Sequence, residues 1–110
     1  MNRELPKCLR VMAEYGSSGI WVVEPHGPFR HGMVEHRRLG LPEELAAGFR
    51  QWIEDYWKVL DQTVTFDVAQ FNNKGRRLAE SLKRHVGQAT RVLLALEGPD
   101  GALGTEEEIL

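Results

Sequence analysis

The residues best suited to chemistry by type are three histidines in one segment. His26, His31 and His36 recur every five positions within residues 25–41. Three imidazoles can hold a zinc ion, but ligands on one helix lie three or four residues apart and those on one strand two apart. Structural zinc also commonly recruits cysteine, and Cys8 is the single one. We expect exposed loop histidines and no cofactor, and we keep a metal-binding protein or enzyme that uses this loop as an alternative.

The sequence EYGSSGIWVVEP, residues 14–25, presents two adjacent serines between glycines. A nucleophile elbow needs Gly-x-Ser-x-Gly at a turn from strand to helix, and a phosphate loop needs a helix N-terminus. Here only two residues separate Gly16 from Gly19, and the strand-like run IWVV follows. The pattern therefore favours a hairpin turn, in which glycine adopts a positive φ and serine forms local hydrogen bonds.

A basic stretch at residues 74–84 could bind a phosphate backbone. Residues 67–87 carry five basic and two acidic groups, a net charge of +3. However, Glu80 interrupts the stretch, no aromatic side chain is interleaved to stack on bases, and the whole chain has a net charge of −2. A small nucleic-acid-associated regulator is therefore a second alternative, and nucleic acid is not our expected partner. The five basic residues are Lys74, Arg76, Arg77, Lys83 and Arg84.

Hydrophobic periodicity predicts the elements that position these residues. Alternation in KCLRVMAEY predicts a strand at 7–15, and β-branched and aromatic residues predict strands at 20–24 and 89–97. Residues 25–41 contain proline and glycine without a sustained period, which predicts a long loop without regular structure.

Two helices are expected between the second and third strands. Pro42 opens an apolar stripe of 3.6-residue period, which predicts a helix over 42–62. A second helix is predicted over 68–86, with Asp67 as its N-cap and Gly87 as its stop.

These elements predict an α+β fold, a small antiparallel sheet of about three strands packed by two amphipathic helices. We expect residues 1–98 to form a single domain and residues 99–110 to form an acidic, mobile tail. One cysteine favours a reducing compartment, and no segment has the length of a signal peptide or a membrane span. We therefore expect a cytoplasmic protein without a membrane partner.

The chain also carries an EYGxxxxW hairpin and an LPxxLxxxxxxWxxxY helix, followed by GRRLAESLKRHVG. With these motifs it resembles small bacterial immunity-type proteins of contact-dependent growth inhibition and related polymorphic toxin systems. It departs from their pattern at Trp57, where they have Asp, and in its histidine-rich loop, where they are acidic. The matching residues are Met12, Glu14, Tyr15, Gly16, Trp21, Leu39, Leu41, Leu45, Trp52, Tyr56, Leu60, Gly75, Arg76, Leu78, Ala79, Leu82 and Gly87.

The resemblance implies an immunity protein that binds a cognate toxin domain and neutralises it without catalysis, by covering its active site or another functional surface. Residues 42–66 carry two basic and five acidic groups, a net charge of −3, which suits a toxin with a basic cleft. Trp57, at the edge of the helical stripe, is typical of an interface anchor. The candidate partner-binding residues are Glu43, Glu44, Glu54, Asp55, Trp57, His31 and Arg37.

Overall fold

A computed structural model describes residues 5–14, 16–60, 67–98 and 103–110 of the chain. Within these residues the strands and helices follow the order β1, β2, β3, α1, α2, β4, β5. The strands are β1 (Cys8–Val11), β2 (Ile20–Glu24), β3 (Gly32–Met33), β4 (Arg91–Glu97) and β5 (Leu103–Ile109), and the helices are α1 (Glu43–Leu60) and α2 (Val68–Val86).

The strands form one sheet in the order β3-β2-β1-β4-β5. Alternate residues of the central strands face the helices, so that Leu9 of β1 lies between Val22 of β2 and Val92 of β4. All three side chains are buried. The α+β class predicted from the sequence is confirmed, with the core between one face of the sheet and the two helices.

The predicted antiparallel sheet of about three strands is wrong in its strand count and in one pairing. The sheet has five described strands, and β1 and β4 pair in parallel. A parallel pair needs a long crossover connection, and here that connection contains both helices. The hydrophobic pattern identified the central strands but gave no information about the direction in which β4 returns beside β1.

The strand β5 lies where the sequence predicted a mobile acidic tail at residues 99–110. It pairs antiparallel with β4, and its Ile109 is buried opposite Val92. Three consecutive glutamates of β5 each pair with an arginine from a different element. These ion pairs are Glu106 with Arg10 of β1 at 2.6 Å, Glu107 with Arg76 of α2 at 2.7 Å, and Glu108 with Arg91 of β4 at 3.0 Å.

The segment 25–41 also has regular structure, contrary to the prediction of a loop without any. Its short strand β3 pairs with Trp21 and Val22 of β2. A 3₁₀ helix, His36–Leu39, follows and ends at Gly40, whose φ of 65° and ψ of 32° are left-handed. Because Leu39 is buried, this short helix belongs to the core.

Both helices lie close to their predicted positions. The helix α1 falls within the predicted range 42–62, of which residues 61 and 62 lie outside the described residues. The bounds of α2 agree with the predicted 68–86, and the Asp67 carboxylate accepts a hydrogen bond from the Gln70 backbone N–H at 3.0 Å, as an N-cap does. Gly87 ends α2 with a φ of +85°.

The two helices approach each other through a glycine on each. The side chain of Leu78 on α2 fills the space beside Gly48 of α1, and the indole of Trp52 on α1 fills the space beside Gly75 of α2. The two helices are consecutive and antiparallel, since the start of α1 lies beside the end of α2. Neither of the two helices in the described part of the chain is long and apolar enough to cross a membrane.

Candidate protein-binding surface

The GSSG segment is a hairpin turn whose serines are engaged within the fold. The Ser17 hydroxyl donates to the Glu14 carbonyl at 2.8 Å and accepts from the Gly19 N–H at 3.1 Å. The Ser18 hydroxyl is buried and donates to the Val34 carbonyl at 2.7 Å. Gly16 and Gly19 have φ values of 72° and 84°, as the hairpin prediction requires. Neither serine is placed as an exposed nucleophile.

His36 is a structural residue, contrary to the prediction of an exposed loop histidine. Its Nε2 lies 2.8 Å from the Ser18 carbonyl oxygen. A carbonyl only accepts, so Nε2 carries the proton and donates. The half-buried ring stacks on Phe49 of α1 at 5.8 Å between centroids. His36 therefore connects the hairpin to the start of the helical layer and does not activate the serine hydroxyl.

The three histidines of the segment 25–41 do not assemble into a metal site. His26 and His31 are exposed, whereas His36 is turned into the structure. In the described part of the chain, which includes all three, no group of three or more His, Cys, Asp or Glu side chains is placed to hold a metal ion. The geometry on which the metal-binding alternative depended is missing there.

The basic stretch of α2 is largely used within the protein. Lys74 pairs with Asp55 of α1 at 3.3 Å, and Arg76 pairs with Glu107 of β5. Lys83 donates to the Thr90 carbonyl at 2.7 Å, at the turn between α2 and β4. These contacts hold α2 to its neighbours, and the positive face left for a phosphate backbone is smaller than the sequence indicated.

The candidate residues at the start of α1 lie on its solvent side. Glu43 and Glu44 are exposed, and Glu43 pairs with Arg50 of the same helix. Two carboxylates in the first turn interact favourably with the positive end of the helix dipole. His31 and Arg37, in the segment that precedes α1, are exposed as well.

The candidate residues near the end of α1 form a separate group. Glu54 is exposed, Asp55 is half-buried and accepts from Gln51 at 3.1 Å, and the Trp57 side chain is 40% exposed. Trp57 lies fourteen positions after Glu43, which is about 21 Å along a helix. The seven candidate residues therefore do not form one compact patch.

A groove between α1 and α2 was missed by the sequence analysis. One part has a volume of about 300 Å³ and runs between Asp55 of α1 and Arg77 of α2, over Gly48 and Leu78. An adjoining part of about 390 Å³ shares Leu78 and Ser81 with it and reaches Glu44 and Arg84. The glycine at position 48, on the polar side of the α1 stripe, is the one sequence signal that could have indicated it.

Three acidic groups of the protein have raised pKa values, and burial is the main cause of each shift. Burial, and then the charge of Glu14, raise the pKa of Glu97 above the usual glutamate value. Burial raises the pKa of the Tyr56 phenol, and Glu97 and Glu14 raise it further. Burial also raises the pKa of the Cys8 thiol, which keeps it protonated and shielded. These shifts indicate how the three groups are packed.

Comparison with known proteins gives one family match. A protein-family model described as Serratia CdiI immunity protein-like matches residues 7–95, which is most of the chain. The matched region runs from β1 into β4 and includes both helices. No curated protein and no solved structure matches the chain.

Proposed function

Since the chain belongs to the Serratia CdiI immunity protein-like family, we propose that it is an immunity protein that binds and neutralises a cognate toxin domain of the contact-dependent growth inhibition type. It acts in the bacterial cytoplasm and without catalysis, by covering the active site or another functional surface of the toxin. The match over residues 7–95 is the observation that carries the proposal.

The exposed carboxylates of α1 support electrostatic recognition. Glu43, Glu44 and Glu54 reach solvent, and a toxin that acts on nucleic acid would offer a basic cleft. Opposite charges across an interface accelerate association and exclude wrong partners, and this effect weakens as the salt concentration rises. The acidic side of α1 would then guide the encounter with the toxin.

The exposed indole of Trp57 supports a hydrophobic anchor beside these carboxylates. Tryptophan is enriched among the residues that carry most of the binding energy of protein interfaces. Trp57 follows Glu54 by three positions, so the two side chains lie on neighbouring positions of the α1 surface. Burial of the indole against the toxin would slow dissociation, while the carboxylates act on association.

The proposal is tested first with the product of the adjacent upstream gene. The purified protein should retain the C-terminal domain of that product in a pull-down, and coexpression should restore growth that the domain alone abolishes. A neighbouring product that is not toxic, or growth that coexpression does not restore, would show the proposal to be wrong.

Two matched pairs of variants test the contact surface. Trp57→Ala should weaken toxin binding by about tenfold or more, because the loss of an interface anchor costs about 2 kcal/mol or more and about 1.4 kcal/mol already corresponds to tenfold. Met33→Ala removes a side chain of similar exposure, 43% against 40%, from the far edge strand β3 and should bind as the wild type does.

In the second pair, Glu54→Lys should slow association with the toxin at low salt, and Glu80→Lys on α2 should not. Equal effects within each pair would contradict this placement of the interface.

A further inference from the structure

The groove between α1 and α2 has walls of opposite charge. The α2 wall carries Lys74, Arg77 and Arg84, which with Ser81 follow steps of three, four and three residues and so form one helical stripe. The α1 wall carries Glu44 and Asp55. Lys74 and Asp55 neutralise each other across the groove at 3.3 Å. The remaining charges are therefore two arginines against one glutamate.

Arg77 is an exposed cation at the edge of this groove. Its side chain is exposed, and among the described residues its guanidinium has no ion-pair or hydrogen-bond partner, whereas Arg84 donates to the Ser81 hydroxyl at 3.1 Å. A guanidinium offers five N–H donors in a planar fork that matches a carboxylate. At the rim of the groove it is placed to bind an acidic group of a partner.

The floor beside Arg77 is apolar. Leu78, half-buried, packs against Gly48, and both parts of the groove meet at Leu78. The lining on α1 runs from Glu44 to Asp55, which is about 16 Å along the helix. A stretch of that length holds about five residues of an extended chain or three turns of a helix.

We propose that this groove holds a segment of the partner protein that places a carboxylate on Arg77 and an apolar side chain over Leu78. The inference rests on the proposed function, because it names the part of the toxin domain that the immunity protein contacts. It also predicts a partner with both signs of charge, since basic groups of the toxin face the carboxylates of α1 while an acidic segment enters the groove.

A protein segment fits the groove better than a nucleic acid does. A phosphate backbone would place repeated negative charge beside Glu44 and Asp55, which line the same groove. Its aromatic lining residue, Trp52, is only 2% exposed and has no free ring face on which a base could stack. An acidic side chain with an apolar neighbour meets Arg77 and Leu78 without either conflict.

The test uses the full chain and the C-terminal domain of the adjacent upstream gene product as the probe. Arg77→Glu should weaken binding at least about tenfold, because it puts a repulsive charge against the partner carboxylate. Lys7→Glu, a charge reversal at an exposed lysine that precedes β1 and is not a candidate partner-binding residue, is the control and should bind within about twofold of the wild type.

A fluorescent label in the groove tests whether the partner occupies it without relying on a measured affinity. Because Cys8 is the only cysteine and is buried, a cysteine introduced on the surface can be labelled selectively. An environment-sensitive fluorophore on Ser81→Cys should shift its emission when the toxin domain is added, and the same label on Gln70→Cys, an exposed position of α2 outside the groove, should not. Circular dichroism of each labelled variant verifies that it is folded.

The outcomes separate the two proposals. Suppose that the toxin domain binds the wild-type chain, that Arg77→Glu binds with unchanged affinity and that the Ser81 label does not respond. This result would overturn the groove proposal and leave the proposed function standing. If no toxic neighbouring product binds the wild-type chain, the proposed function and the occupant of the groove both fall. If Arg77→Glu weakens binding and only the Ser81 label responds, the groove proposal is supported. A response of the Ser81 label to RNA or DNA in place of the toxin domain would overturn the groove proposal.

Discussion

Gly75 of α2 lies directly against the indole of Trp52 of α1. A Cβ atom on Gly75 would stand 2.7 Å from Trp52 Cζ2, well inside van der Waals contact. The indole has little freedom to move, because its Nε1 donates to the Phe71 carbonyl at 3.1 Å and its ring stacks on Phe71 at 4.8 Å between centroids. The absence of a side chain at position 75 therefore sets how closely the two helices pack.

We expect Gly75→Ala to destabilise the protein. Alanine gains up to about 1 kcal/mol over glycine in a helix, but overpacking a well-filled core costs about 1–3 kcal/mol. Since this stacking and this hydrogen bond hold Trp52 in place, the overpacking term should dominate and give a net loss of about 1–2 kcal/mol in the free energy of unfolding. Urea denaturation followed by tryptophan fluorescence measures it.

Gly48→Ala is the matched control, because it makes the same change on the facing helix. The new Cβ would lie 2.9 Å from Leu78 Cδ2, the end of a flexible and half-buried side chain. Leu78 can turn toward the groove, so the gain in helix propensity should leave stability unchanged or raise it by up to about 1 kcal/mol. A loss equal to that of Gly75→Ala would contradict the rigid packing of Trp52.

The helices could be predicted closely because their signals are local. The apolar stripe of α1 and the Asp67 cap of α2 depend on residues within one or two turns of each other, and both appear in the structure. The strand β5 could not be predicted, because three consecutive glutamates have low strand propensity and suggest a solvated tail. Only in the folded chain does each of these glutamates meet an arginine, one from β1, one from α2 and one from β4.

The candidate surface could be predicted only in part, for a similar reason. Exposure of the α1 carboxylates follows from helical periodicity alone. The groove depends on how Leu78 meets Gly48 across two helices. That Arg77 has no ion-pair partner among the described residues depends on which of its neighbours find partners elsewhere. These are long-range relationships, which a periodicity within one element does not encode.

Because β5 is packed against the sheet, we expect an alanine substitution to lower stability strongly at one residue and hardly at all at the next. Ile109 is 7% exposed and faces the core opposite Val92, so Ile109→Ala should lower the free energy of unfolding by about 2–4 kcal/mol. Leu110, 98% exposed, should tolerate alanine within about 0.5 kcal/mol. Thermal or urea denaturation of the two variants measures both, and equal small losses would mean that the C-terminal segment is not packed.

The raised pKa of Glu97 predicts that replacing this glutamate stabilises the protein by an amount that depends on pH. For a carboxyl whose pKa is higher in the folded state, ionisation costs stability; the cost is absent below the unfolded value of about 4.3 and complete above the folded value. Glu97→Gln should therefore be more stable than the wild type at pH 7, and the difference should shrink toward pH 3.5. The Asn72 side chain bonds the backbone of Glu97, so the substitution leaves that contact in place.

Glu108 provides a control of opposite sign for Glu97. Its hydrogen bond with Arg91 lowers the pKa of Glu108, so its stabilising contribution is present above about pH 4.3 and is lost as the pH falls through the folded value. Glu108→Gln should be less stable than the wild type at pH 7, with a difference that also shrinks at acidic pH. Urea denaturation at several pH values measures both differences, and shifts of the same sign would contradict the assignment.

The buried hydroxyl of Ser18 predicts a structural role for the GSSG hairpin. It donates to the Val34 carbonyl and accepts from the Ile20 N–H at 3.2 Å, so Ser18→Ala leaves both without this partner inside the protein. The expected loss is about 1–3 kcal/mol, whereas Ser17→Ala, where water can replace the hydroxyl, should lose less than about 1 kcal/mol. If Ser18→Ala remained as stable as the wild type yet lost its protective effect against the toxin, the serine would have a chemical role that this fold does not predict. We expect the opposite, a less stable protein that still restores growth at temperatures at which it is folded.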